Sequence, residues 1–139
     1  MAKKFEFKTD SRIERLAEIA KFIDHAAHAC GLGEDACHDV QLAADEACAN
    51  VIEHAYQGKT DGKIKIACEQ RGNEFVIVIQ DAGKPFDPRR VARPDTAAPL
   101  TQRDIGGLGV FFIHKLMDRV DFDFRRGHNV LTMRKKIKG

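Results

Sequence analysis

Asp45-Glu46-Ala47-Cys48-Ala49-Asn50-Val51-Ile52-Glu53-His54-Ala55-Tyr56 reads as the second half of an amphipathic helix. At about 100° per residue, Val40, Ala44, Ala47, Val51 and Ala55 fall on one buried stripe. Glu46, Asn50 and His54 recur every fourth residue, so they stack along a second line. That line flanks the apolar stripe and places polar groups at the rim of a cavity. The same spacing also suits a solvated helix edge with weak i,i+4 contacts. Leu42 and Ile52 fall outside both lines, which suggests a helix covered on two sides or a dimer contact.

Upstream, the helix is expected to start near Glu34, where Glu34 and Asp35 suit its N-terminal end, and to stop at Gly58. An earlier amphipathic helix carries Ile13, Leu16, Ala17, Ala20, Ile23, Ala27 and Cys30, with Ser11 and Glu14 as a capping box. Residues 3–9 alternate around Phe5 and Phe7 as a half-buried strand. Downstream, residues 63–70 and 74–81 form a hairpin across Arg71-Gly72-Asn73. The run from Phe75 to Ile79 is apolar throughout, as a central strand requires.

Residues 82–105 hold all four prolines (Pro85, Pro88, Pro94, Pro99), so no long regular element is expected there. A helix over residues 110–118 follows, then a hairpin of residues 119–125 and 129–137. The order is strand, two helices, hairpin, long loop, helix, hairpin. It predicts an α+β fold, a two-layer sandwich of a mostly antiparallel sheet with three main helices on one face.

Two further sites could carry chemistry. Asp81-Ala82-Gly83 closes the central strand. An aspartate there can accept a hydrogen bond from an exocyclic amine, and a glycine lets a flat ring approach the backbone. A plain turn would use the same residues. Gly106-Gly107-Leu108-Gly109 opens a helix, where exposed backbone N–H groups favour a phosphate. Rossmann and P-loop patterns both fail here: no strand immediately precedes the turn, and no Gly-Lys-Ser/Thr is present.

The bulk composition bounds the rest. A length of 139 residues fits a single domain over 1–139, and 43% hydrophobic residues allow a proper core. Charged residues make up 32% but the net charge is only +2, which argues against a nucleic-acid or membrane-surface protein. No apolar run approaches a membrane span and no signal-peptide core opens the chain, so a cytoplasmic location is expected. Cys30, Cys37, Cys48 and Cys68 show no paired metal-ligand spacing and read as reduced, buried thiols.

Taken together, the Glu-x3-Asn-x3-His helix, the strand ending Asp-x-Gly, the long loop and the Gly-x-Gly at a helix start resemble the GHKL, or Bergerat-fold, ATP-binding domain of gyrases and histidine kinases. The likeness covers nearly the whole chain. Within that group it is similar to the anti-sigma-factor serine/threonine kinases of bacterial partner-switching systems. Residues 45–56, 81–87 and Gly107-Leu108-Gly109 leading into Leu116-Met117-Asp118 carry that likeness. The resemblance implies ATP and Mg²⁺ as cofactors, with Glu46 as the general base and Asn50 as a ligand to Mg²⁺. It implies Asp81 on the adenine amino group with Gly83 beneath the ring, and Gly107, Leu108 and Gly109 along the phosphates. Thr132 would be an additional adenine contact, and residues 82–105 an ATP lid. It further implies a sigma factor or similar target, phosphorylation of a STAS-type anti-anti-sigma protein, and a homodimer. In the kinases a basic residue stands just before the phosphate glycines, whereas here Asp104-Ile105 precede Gly106. That departure leaves a non-catalytic ATP-binding adaptor as the alternative. A detached histidine-kinase module fits less well, because the first helix lacks a phospho-acceptor region.

Overall fold

A computed structural model describes residues 3–85 and 105–138. Five strands form one antiparallel sheet in the order β1-β2-β3-β5-β4. These are β1 (Lys4–Asp10), β2 (Lys63–Arg71), β3 (Glu74–Asp81), β4 (Arg119–Arg125) and β5 (His128–Lys136). β3 is central, as its unbroken apolar run requires, because both of its edges are paired and its helix-facing side is covered. β5 inserts between β3 and β4, so the chain crosses the sheet through the helix that precedes β4.

Three helices cover one face of this sheet: α1 (Leu16–Ala29), α2 (Glu34–Asn50) and α3 (Ile105–Leu116). α2 is central and packs against both α1 and α3. Its small residues Ala43, Ala44, Ala47 and Cys48 are all buried, which allows the two neighbours to approach closely. Beneath them lie Ile64, Ile66 and Cys68 of β2, and Phe75, Ile77 and Ile79 of β3. Phe7 stacks on Phe22 of α1, closing the β1 end of the sandwich. All four cysteines are free and buried, and burial pushes the Cys48 thiol up to about 12. Among the described residues no helix is long and apolar enough to cross a membrane.

Three local expectations are corrected. Ser11 does not cap the first helix: it is buried, and its hydroxyl accepts Gly62 N–H at 3.0 Å and donates to Lys59 O. The Asp10 carboxylate accepts Arg12 N–H at 3.2 Å just before a 3₁₀ turn (Ile13–Arg15) that leads into α1, and neither that turn nor α1 has a side-chain cap. The second helix does not run as an α-helix to Gln57: after Asn50 it widens into a π-helical turn, Val51–Ala55, with Tyr56 N–H bonding Val51 O at 2.9 Å. A wider turn rotates less per residue, which brings Ile52 onto the line of buried Cys48 and leaves Val51 and Ala55 half-buried. Finally, α3 starts at Ile105, so the glycine cluster lies inside its first turns.

Candidate nucleotide site

The helix-facing side of β3 reads Phe75, Ile77, Ile79 and then Asp81, so strand alternation drives a carboxylate into the layer between sheet and helices. Asp81 is only 4% exposed. Its Oδ1 accepts Gly83 N–H at 2.9 Å and the side-chain amide of Asn129 at 2.9 Å. Burial pushes its pKa above the ordinary aspartate range, while the bonds from Asn129 and Gly83, and the nearby His128, pull the other way. A buried carboxylate held by two donors is a fixed acceptor, able to discriminate an amine from a carbonyl on a flat ligand.

Asn129 was not among the residues singled out from the sequence. It lies directly opposite Asp81 across the β3–β5 ladder and also donates to Lys84 O at 2.9 Å. The signal was present in β5, where Asn129, Leu131 and Met133 are the buried alternate positions. A polar residue in phase with buried apolar ones needs a hydrogen-bonding reason. The same alternation corrects Thr132. It pairs with Val78, on the sheet face opposite Asp81, so the structure does not bring Thr132 to this acceptor.

Gly83 also packs tightly against the π turn. A Cβ there would stand 2.6 Å from Ala55 O, so the missing side chain serves backbone contact with the π turn, and Lys84 N–H bonds that same oxygen at 2.8 Å. The end of β3 is thereby joined to the π turn that follows α2.

On α2, Glu46 and Asn50 are half-buried, one turn apart, whereas His54 on the π turn is exposed. Burial raises the Glu46 pKa above the ordinary glutamate range, and the charges of Asp45 and Glu53 add to it. Among the described residues neither the Glu46 carboxylate nor the Asn50 amide takes part in a side-chain hydrogen bond. Cys48, on the buried face of α2, feels the Asp81 charge, so the β3 acid lies beside α2 itself. Gly107, Leu108 and Gly109 lie in the first turns of α3, the helix packed on α2. Of the segment expected to be a lid, residues 86–104 lie outside the described residues. Among the described residues no group of three or more His, Cys, Asp or Glu could hold a metal by itself.

The family model described as the histidine kinase-like ATPase domain matches residues 9–135. The chain is 31% identical over 132 residues to the serine-protein kinase RsbW of Bacillus thuringiensis strain Al Hakam, covering 92% of this chain and 82% of the relative. The protein of the same name in Bacillus anthracis strain A0248 is 30% identical over 132 residues, with the same coverage of 92% and 82%. Among solved structures, the RsbU and RsbW domains of a Mycobacterium tuberculosis protein superpose with a TM-score of 0.71 at 14% identity, over 97% of this chain and 32% of that one. This chain thus spans about a third of the mycobacterial one. The Acinetobacter baumannii histidine kinase AdeS gives a TM-score of 0.55 at 14% identity, over 97% of this chain and 68% of that one. At these identities the two structures share the fold.

Proposed function

The chain belongs to the histidine kinase-like ATPase domain family, and on that premise we propose that it is an ATP-dependent serine/threonine protein kinase acting as an anti-sigma factor. The observation that carries this reading is Asp81, a buried carboxylate oriented by Asn129 and Gly83 beside the helix bearing Glu46 and Asn50. Asp81 would accept the adenine amine. Glu46 would take the proton from the attacking hydroxyl, a role suited by the raised pKa of a half-buried carboxyl. The glycine-rich first turns of α3 would present backbone N–H groups to the phosphates. Phosphoryl transfer asks little covalent chemistry of the protein, so positioning by these groups is the main contribution.

The donor set fits Mg²⁺. This ion favours hard oxygen ligands and is commonly held by one or two protein groups together with substrate phosphates. The Asn50 side-chain oxygen is such a donor, and no all-protein metal cage exists among the described residues. When bound, Mg²⁺ would neutralise charge on the phosphates.

The relatives named RsbW and the RsbU–RsbW structure support a partner-switching role, in which the chain holds a sigma factor or similar regulator. Its phosphorylation substrate would be a serine of a STAS-type anti-anti-sigma protein. Incubation with labelled ATP and the STAS-type proteins of the same genome tests this. One labelled serine is expected. No label, with partner exchange still dependent on ATP, would replace the kinase reading with the adaptor that Asp104 before Gly106 allows.

A further inference from the structure

Beyond Asp81, the backbone N–H groups of Ala82 and Lys84 are tied to the π turn that follows α2. Ala82 N–H donates to the Tyr56 hydroxyl at 2.8 Å, and Lys84 N–H donates to Ala55 O at 2.8 Å. The last carbonyls of a helix have no partner within it, so Lys84 satisfies one of them. Between these two bonds Gly83 lies against Ala55 with no room for a side chain.

The Tyr56 hydroxyl also donates to Lys63 O at 2.6 Å. One phenol therefore uses its proton and a lone pair to join the start of β2 to the first residue past β3. Its ring covers Gly62, where a Cβ would stand 2.6 Å from three ring carbons. Ser11 holds the same turn from below through Gly62 N–H and Lys59 O. These contacts anchor the tyrosine on both sides, at a point six residues beyond Asn50 and next to the residue that follows Asp81.

We infer that Tyr56 is a positioning residue for nucleotide recognition. It fixes the segment carrying the Asp81 acceptor against the helix carrying Glu46 and Asn50, so that base and phosphates are read in one frame. The inference rests on the nucleotide reading above and adds a residue that does not touch the ligand. A tyrosine that only stabilised the fold would affect every nucleotide alike. One that aims Asp81 affects the ligand's amine selectively.

The test is Tyr56→Phe, which keeps the ring over Gly62 and deletes both hydroxyl bonds. Calorimetric affinities are measured for ATP and for inosine triphosphate, which has an oxo group where ATP has its amine. In the wild type ATP is expected to bind more tightly. In Tyr56→Phe the affinity for ATP should fall about fivefold or more, the scale of a pair of lost hydrogen bonds, with inosine triphosphate nearly unchanged. An equal loss for both nucleotides, or no loss for ATP, overturns the positioning role. Asp81→Asn is run alongside. If the wild type prefers ATP and Asp81→Asn removes that preference while Tyr56→Phe does not, the inference fails and the nucleotide reading stands. If the wild type shows no preference, the Asp81 assignment itself fails and takes the inference with it.

Discussion

Asp81 and Glu46 are both carboxyl groups raised above their ordinary range by burial, but they are held in opposite ways. Asp81 sits at the end of a central strand with two donors on one oxygen, and its neighbours are bonded in turn to the π turn after α2. Glu46 sits on the flank of α2, half-buried, in no side-chain hydrogen bond among the described residues. Recognising a flat base requires an acceptor already aimed, since ordering it on binding would cost affinity. Taking a proton requires a group that is not already committed, and catalytic contacts often form only once substrate is bound. The two regions therefore divide the work. The β3–β5 corner is built before the ligand arrives, and the α2 flank is completed by it.

The largest effect that could break this division is at Glu46. Glu46→Gln should lower phosphoryl transfer by about two to four powers of ten, the usual contribution of a positioned base, while ATP affinity stays near wild type. Transfer of labelled phosphate at the wild-type rate would remove Glu46 from the reaction. Asn50→Ala comes next. Its ATP affinity should drop roughly tenfold or more with Mg²⁺ present, on the scale of disturbing a metal's surroundings, and barely at all in EDTA. Equal losses in both conditions would make Asn50 structural.

Asn129→Leu sharpens the other side of the comparison. Asp81 serves as an acceptor when ionised, so ATP affinity is full above its raised pKa and is lost as pH falls through it. Removing the Asn129 donor takes away a bond that favours the ionised form. The acid limb of ATP binding should therefore move toward neutral pH, with an affinity loss of about tenfold on the scale of a bond to a charged group. Stability follows the same shift. The folded state holds the Asp81 proton more tightly than the unfolded chain. This contribution is complete below the unfolded pKa and lost as pH rises through the folded one. An unchanged pH profile would show that Asn129 does not set the state of Asp81. The smallest effect is expected at Thr132→Ala: a change within about 0.5 kcal/mol in stability and none in ATP affinity, since Thr132 lies on the other sheet face. A marked loss of ATP binding would restore it to the site.

Much of this division was legible in residue order. The apolar run of β3 predicted a central strand, and the hairpins at Gly72 and Gly127 predicted antiparallel pairing, both as found. The line of Glu46 and Asn50 followed from helical spacing, but His54 did not stay with them, because a π turn is a departure that no period of 3.6 foresees. Ser11 satisfied a capping motif and instead bonds a turn some fifty residues away, a tertiary contact that local pattern does not encode. Asn129 could have been found by its phase within β5, whereas its pairing with Asp81, already singled out on β3, needed the register of the ladder.

The preorganised acceptor is tested most directly by calorimetry of Asp81→Asn against wild type, with ATP and inosine triphosphate in Mg²⁺ buffer. The carboxamide keeps the shape but leaves Gly83 N–H and Asn129 contending for a single oxygen with the ligand's amine. ATP affinity should fall about fivefold to a hundredfold, the cost of one mispaired buried polar group, while inosine triphosphate changes little and the fold persists. Wild-type ATP affinity in the folded mutant would contradict the assignment of Asp81 as the group that reads the base.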